Sequence, residues 1–239
     1  MSTSPPAQLT FDLPAEPGMS RDDFFVTGAN RAALEMVEGW PAGEASSPLL
    51  ALIGPPGSGK THLAHIWRAR TGALTAGPGD VTAENLPALL SAGHLVLEDM
   101  PSASLDETAM FHLVNMAREE GAAILLTSRM FPARWPVALP DLKSRLRAAQ
   151  LAELGAPDDD LLRAVLVKLF TDRQIRPAEG VISYMLTRME RSLAAARDLV
   201  EEIDRRALQE RANITIPFVS RVMREISAPG LFGGPGGAS

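Results

Sequence analysis

Leu49-Leu50-Ala51-Leu52-Ile53-Gly54-Pro55-Pro56-Gly57-Ser58-Gly59-Lys60-Thr61 is the stretch that decides the fold. Five apolar residues run into a glycine, the pattern of a short strand buried on both faces of a parallel sheet. The next eight residues follow G-x-x-x-x-G-K-S/T, and a helical pattern occupies about 60–70. Each part has a physical reason. Gly54, Gly57 and Gly59 let successive backbone N–H groups, that of Ser58 included, turn toward a phosphate, and the following helix offers the positive end of its dipole. Lys60 reaches the β- and γ-phosphates, and the Thr61 hydroxyl is placed to ligate Mg²⁺. A glycine-rich turn with no ligand is the bland alternative. The strand before the loop and the helix after it favour phosphate binding.

Outward from this loop, similar apolar runs recur at Leu95-Val96-Leu97 and Ile124-Leu125-Leu126-Thr127, with weaker ones near 72–75 and 149–154. Helical patterns fall between them at about 82–92, 105–120 and 141–147, and an amphipathic helix is expected over 22–40, after Phe24 and Phe25. Strands alternating with helices imply an α/β domain with a doubly wound parallel sheet. His94-Leu95-Val96-Leu97-Glu98-Asp99 is a strand that ends in acids. Glu98 falls where a magnesium-holding acid belongs, and Asp99 where a water-orienting acid belongs.

The pattern changes after Gly155-Ala156-Pro157, where a boundary is expected. Asp158-Asp159-Asp160 opens a helix by placing acids at the positive end of its dipole. Two more helices are expected at about 178–190 and 193–211, and a last one from Pro217. This gives an α/β nucleotide-binding domain over 21–156 and a small all-helical lid over 157–226. A Pro/Ser-rich flexible tail is expected over 1–20 and a disordered Gly-rich tail over 227–239.

Composition narrows the function classes. The 239 residues contain no cysteine, which removes disulfides, iron–sulfur clusters, cysteine zinc sites and a cysteine nucleophile. Four scattered histidines have no metal-pair spacing. The net charge is −6, unlike that of a chain that grips DNA mainly with its own surface. Much of the excess lies in residues 1–48, where two arginines face seven acids, a balance of −5. No apolar run reaches the ~18 residues of a membrane span, and the N-terminus lacks a secretory signal. A cytoplasmic protein without a membrane partner is the expectation.

The stretch GPPGSGKTHL, which runs through His62, resembles the AAA+ proteins of the DnaA clade. Phe25-Val26-Thr27-Gly28-Ala29-Asn30 is similar to that clade's F-V-x-G-x-x-N segment, which lies against adenine. Leu126-Thr127-Ser128 resembles its sensor 1 strand. Leu142-Lys143-Ser144-Arg145-Leu146 resembles the segment that carries an arginine finger, and Ala196-Arg197-Asp198-Leu199 the sensor 2 helix. The resemblance spans roughly 22–226. Read without it, Arg145 is equally a solvated charge at a helix end. Arg197 is equally one partner in a salt-bridged surface helix, since 188–211 holds six arginines and six acids.

The resemblance implies an AAA+ P-loop NTPase fold, with ADP or ATP and Mg²⁺ bound between sheet domain and lid. Gln8-Leu9-Thr10-Phe11-Asp12-Leu13 resembles the Q-L-x-L/F-x-L peptide that docks on the sliding clamp of DNA polymerase, with Gln8, Leu9, Phe11 and Leu13 as contacts. Together with the absence of a helix-turn-helix pattern after Val219, this resembles the regulatory inactivators of the initiator DnaA. Such proteins promote hydrolysis of DnaA-bound ATP, meet DNA only through the clamp, and can self-associate. Two departures imply weak intrinsic hydrolysis: Glu98-Asp99 where the initiator has two aspartates, and Arg129 where it has an acid. A helicase loader or truncated initiator of the same clade remains open, as does a stand-alone P-loop ATPase.

Overall fold

A computed structural model describes residues 19–41 and 47–227. Strands β1 (Leu49–Ile53), β2 (Leu74–Ala76), β3 (His94–Met100), β4 (Ala123–Ser128) and β5 (Gln150–Glu153) form one parallel sheet in the order β2-β3-β4-β1-β5. All five residues of β1 are buried. The period-two alternation of a strand divides them between two cores. Leu49, Ala51 and Ile53 join Leu95, Leu97, Ile124 and Leu126 under α4 (Glu107–Glu120) and α5 (Pro140–Arg147). Leu50 and Leu52 join Val96 and Leu125 under α1 (Arg31–Gly39) and α2 (Lys60–Thr71). Helices on both faces explain why these strands read as unbroken apolar runs.

Beyond β5 the described chain is helical: α6 (Asp159–Asp172), α7 (Val181–Leu186), α8 (Leu193–Glu210) and α9 (Ile216–Ser227) follow a four-residue α3 (Leu86–Leu89) placed earlier in the chain. Leu162, Leu166, Phe170, Val181, Met185, Val200, Ile203, Val219 and Val222 make a third core, separate from the two beside the sheet. The Asp158 carboxylate opens α6 by accepting the Leu161 N–H at 2.8 Å, and Pro217 lies in the first turn of α9.

Three helices are shorter than their sequence patterns, each for a local reason. The helix expected over 22–40 begins only at Arg31, because the buried Asn30 side chain fixes a turn before it. Its Oδ1 accepts the Thr27 N–H at 2.9 Å and its Nδ2 donates to the Phe25 carbonyl at 2.8 Å. The pattern at 82–92 reduces to α3, since Asn85 folds back on Asp80 and Thr82. The pattern at 178–190 reduces to α7. Gly180, at φ +80°, starts it, and the Arg188 and Met189 N–H groups both return to the Met185 carbonyl and end it. Among the described residues no helix is long and apolar enough to cross a membrane. The clamp-motif residues Gln8 to Leu13 lie outside the described residues.

Candidate nucleotide-binding site

The loop after β1 stands at the carboxyl edge of the sheet, where ligands of open α/β folds bind. Its first N–H, from Gly54, donates to the Ser128 carbonyl at 3.2 Å and ties the loop to β4. Gly57 (φ +66°) and Gly59 (φ +99°) are left-handed, a region that L side chains rarely adopt. A Cβ on Gly54 would come within 2.7 Å of the Leu154 carbonyl and of Ser58 Oγ. The Ser58 hydroxyl is buried and has no hydrogen-bond partner among the described residues. A buried, unpaired hydroxyl is costly, and a phosphate oxygen would satisfy it. Crowded glycines and an orphaned hydroxyl fit a phosphate, so the loop's chemistry agrees with its sequence pattern.

Lys60 opens α2 and folds over its own loop, where Nζ donates to the Gly54 carbonyl at 2.9 Å and the Pro55 carbonyl at 2.8 Å. Burial lowers its pKa, and the Arg129 charge lowers it further against the opposing pull of Asp99. Thr61 is exposed in the first turn of α2.

The acids lie next door. Leu97 pairs with Leu126 and Met100 with Ser128, so Glu98 and Asp99 together oppose Thr127 in a β-bulge. Asp99 takes a left-handed φ of +54°, and its N–H donates to Thr127 Oγ1 at 2.9 Å. The bulge leaves Asp99 exposed and Glu98 half-buried while Thr127 is buried. A hydroxyl at Thr61 and a carboxylate at Glu98 suit a hard cation such as Mg²⁺. No larger group of potential metal ligands occurs among the described residues.

The helical bundle closes onto the loop through the start of α8. Ser192 caps that helix by accepting the Ala195 N–H at 3.3 Å, and the Leu193 N–H donates to the Gly57 carbonyl at 2.9 Å. Beside this contact lies a cavity of about 700 Å³, within the range of small-molecule sites. Met19, Phe25, His62, Lys168, Leu193 and Arg197 line it. Phe25, His62 and Arg197 are thus brought together, whereas Val26 packs against the core beside α1 and α2. His62 Nε2 donates to the Ser20 carbonyl at 2.8 Å, and its ring meets Phe24 edge-on at 5.2 Å. Burial lowers the His62 pKa, so the ring favours its neutral form. Arg197 Nη2 lies 3.9 Å from Met19 Sδ.

Met19 and Ser20, counted with the N-terminal tail on sequence grounds, are therefore held against the fold. Asp23 fastens the same segment. It accepts from the Ser20 hydroxyl at 2.6 Å and pairs with Lys168 of α6 at 2.9 Å, and these partners, the hydroxyl first, bring its pKa down to about 2.

Arg145 stands apart. It is half-buried in α5 and makes no side-chain hydrogen bond or ion pair among the described residues. Ser192 and the Asp23–Lys168 pair escape the sequence reading, and Asn30 enters it only as the last residue of the Phe25–Asn30 segment, without its turn-fixing role. Only Ser192 carries a local signal, a helix-capping residue just before a helical run.

Comparison with known proteins places these features. Residues 159–223 match the family model described as "Hda, lid domain". Domain III of the replication initiation protein DnaA from Thermotoga maritima is 17% identical, with a TM-score of 0.75 over 90% of this chain and 100% of that one. AMPPCP-bound DnaA from Aquifex aeolicus is 18% identical, with a TM-score of 0.66 over 88% of this chain and 70% of that one. A curated relative from Haemophilus influenzae, described as uncharacterized, is 30% identical over 118 residues. The match takes in 49% of this chain, which spans 51% of that relative's length.

Proposed function

We infer that this chain, an AAA+ protein of DnaA-like fold with an Hda-type lid, regulates replication initiation by promoting hydrolysis of ATP bound to DnaA. The observation that carries this reading is the seat of α8, from the segment matched as an Hda lid, on Gly57 of the phosphate loop. In that position the lid follows what the loop holds.

In this reading the sheet domain spans 21–156 and the lid 157–226. ADP or ATP lies against Gly54, Gly57, Ser58, Gly59, Lys60 and Thr61. Phe25, Val26 and His62 form its adenine side, Arg197 reaches it from the lid, and Thr127 faces the reacting end. Thr61 and Glu98 hold Mg²⁺, which neutralises charge on the phosphates. Asp99 orients water for a weak intrinsic hydrolysis. Arg145 acts outward. A guanidinium without a partner among the described residues is free to meet the γ-phosphate held by DnaA, and an arginine supplied in trans is worth orders of magnitude in rate. Gln8, Leu9, Phe11 and Leu13 tether the chain to the sliding clamp, so DNA is contacted only indirectly, in the cytoplasm. Self-association is a further part of the proposal.

The test follows labelled ATP bound to DnaA, with clamp loaded on DNA and this protein carrying nucleotide. The wild type stimulates hydrolysis at least tenfold. Arg145→Ala abolishes stimulation but retains nucleotide and clamp binding, and alanine at Gln8, Leu9 and Phe11 abolishes it by loss of the clamp. Undiminished stimulation by Arg145→Ala refutes the finger. Rapid turnover of free ATP by this chain alone, with no effect on DnaA, refutes the regulator reading.

A further inference from the structure

The end of α9 is tied to the helical bundle, where Glu225 in its last turn pairs with Arg206 of α8. Beside that end lies a second groove, of about 520 Å³. Its floor is apolar, made by Met189 after α7, Leu199 of α8, and Met223 and Ile226 of α9, while Glu190 and Asp198 stand on its rim. Met223 and Ile226 are three positions apart and share a helix face, yet Ile226 is 43% exposed. Apolar surface in such a groove gains free energy when something covers it. The chain goes on as Ala228-Pro229-Gly230-Leu231-Phe232, outside the described residues. Proline disfavours helix at the residue before it, in keeping with the end of α9 at Ser227. A Pro-Gly pair between two other residues is the signature of a type II turn, which returns the chain to within about 7 Å of its entry. Leu231 and Phe232 are the only large apolar residues in 228–239, which holds no charged residue, and most of its glycines come after Phe232.

We propose that this groove is the docking site of the chain's own segment after α9, with Leu231 and Phe232 folded back over the Pro-Gly turn onto Met223, Ile226 and Leu199. Three observations favour this occupant over a separate partner. Leu231 stands five positions beyond Ile226, so it begins within about 18 Å of the groove even before the turn brings it closer. A tether this short supplies an effective concentration on the order of millimolar, which places the chain's own segment ahead of a free partner of equal intrinsic affinity. The segment carries no charge, so it passes the rim acids Glu190 and Asp198 without burying an ion. The two apolar side chains then complete the outer face of the bundle between α8 and α9. The inference is independent of the nucleotide reading above.

The chain has no cysteine, so an introduced pair reports only on its own two positions. Asp198→Cys on the groove rim, combined with Gly233→Cys beside Phe232, forms a disulfide within one chain under mild oxidation, read by mass mapping of peptides. Adding Leu231→Ser and Phe232→Ser slows its formation by about tenfold or more. Gly233→Cys paired instead with Glu119→Cys, on exposed α4 in the sheet domain, gives no comparable product. In the cysteine-free chain, Leu231→Ser with Phe232→Ser lowers the melting temperature by about 3–6 °C, the effect of withdrawing two partly buried apolar side chains. Disulfide formation at the same rate with and without the apolar pair overturns the proposal, and so does an unchanged melting temperature. A disulfide that joins two chains gives the groove to a second copy and overturns it too.

Discussion

Replacing Gly57 with alanine tests whether the lid sits on the phosphate loop. At φ +66° an L residue carries a backbone cost of about 1–2 kcal/mol. The new Cβ also runs into Ser192 Oγ and comes within 2.8 Å of Ser192 Cβ and 3.2 Å of the Leu193 N. Relief requires the start of α8 to move off the loop. That movement forfeits the Leu193 N–H to Gly57 carbonyl bond, worth about 1 kcal/mol, and disturbs the Ser192 cap, worth about 1 kcal/mol. The total is about 3–4 kcal/mol, or roughly 6–16 °C of melting temperature for a protein of this size. Gly72→Ala is the control. It has a similar φ of +72°, but no atom of the described residues would lie within 4 Å of the new Cβ, so only the backbone cost applies. That is about 2–8 °C. Adding Ser192→Gly to Gly57→Ala removes the clashing side chain at a cost of only a few tenths of a kcal/mol to the cap, and recovers most of the difference. Thermal unfolding by circular dichroism reads all four proteins. If Gly57→Ala melts no lower than Gly72→Ala, the lid does not rest on the loop and the coupling of lid to nucleotide fails.

Lys60→Ala lowers affinity for ADP and ATP by about tenfold to a hundredfold while shifting the melting temperature without nucleotide by no more than about 2 °C, since among the described residues Nζ bonds only carbonyls of its own loop. A thermal-shift series with each nucleotide reads this, and a wild-type-like shift in the variant removes Lys60 from the site. The Asp23–Lys168 pair gives a pH signature. Asp23 has a folded pKa near 2, below its unfolded value, so its contribution is complete above about pH 4 and disappears as the pH falls toward 2. Asp23→Asn therefore flattens that part of the acid stability profile by up to about 1 kcal/mol, and identical wild-type and variant profiles would show that the pair stabilises nothing.

The sheet is readable in the sequence because burial on both faces leaves no room for polar residues. Leu49–Ile53 and Ala123–Ser128 are buried along their whole lengths, and such runs announce themselves. The short strand Leu74–Ala76 is weaker in the sequence because it lies at the edge of the sheet and exposes two of its three residues. Helix ends are less legible where a polar side chain competes for the backbone. Asn30 illustrates this. Its amide satisfies Thr27 and Phe25, so residues that fit a helical pattern form a turn instead, and α1 begins after them.

A similar division governs the site. Gly54, Gly57, Gly59, Lys60 and Thr61 are legible because a phosphate demands those residue types at that spacing, whatever surrounds them. The groups that shape the cavity answer to partners far along the chain. Ser192 matters through Gly57, His62 through the Ser20 carbonyl 42 residues earlier, and Lys168 through Asp23. No local window contains both members of such a pair, and a serine, a histidine or a lysine alone satisfies many other roles.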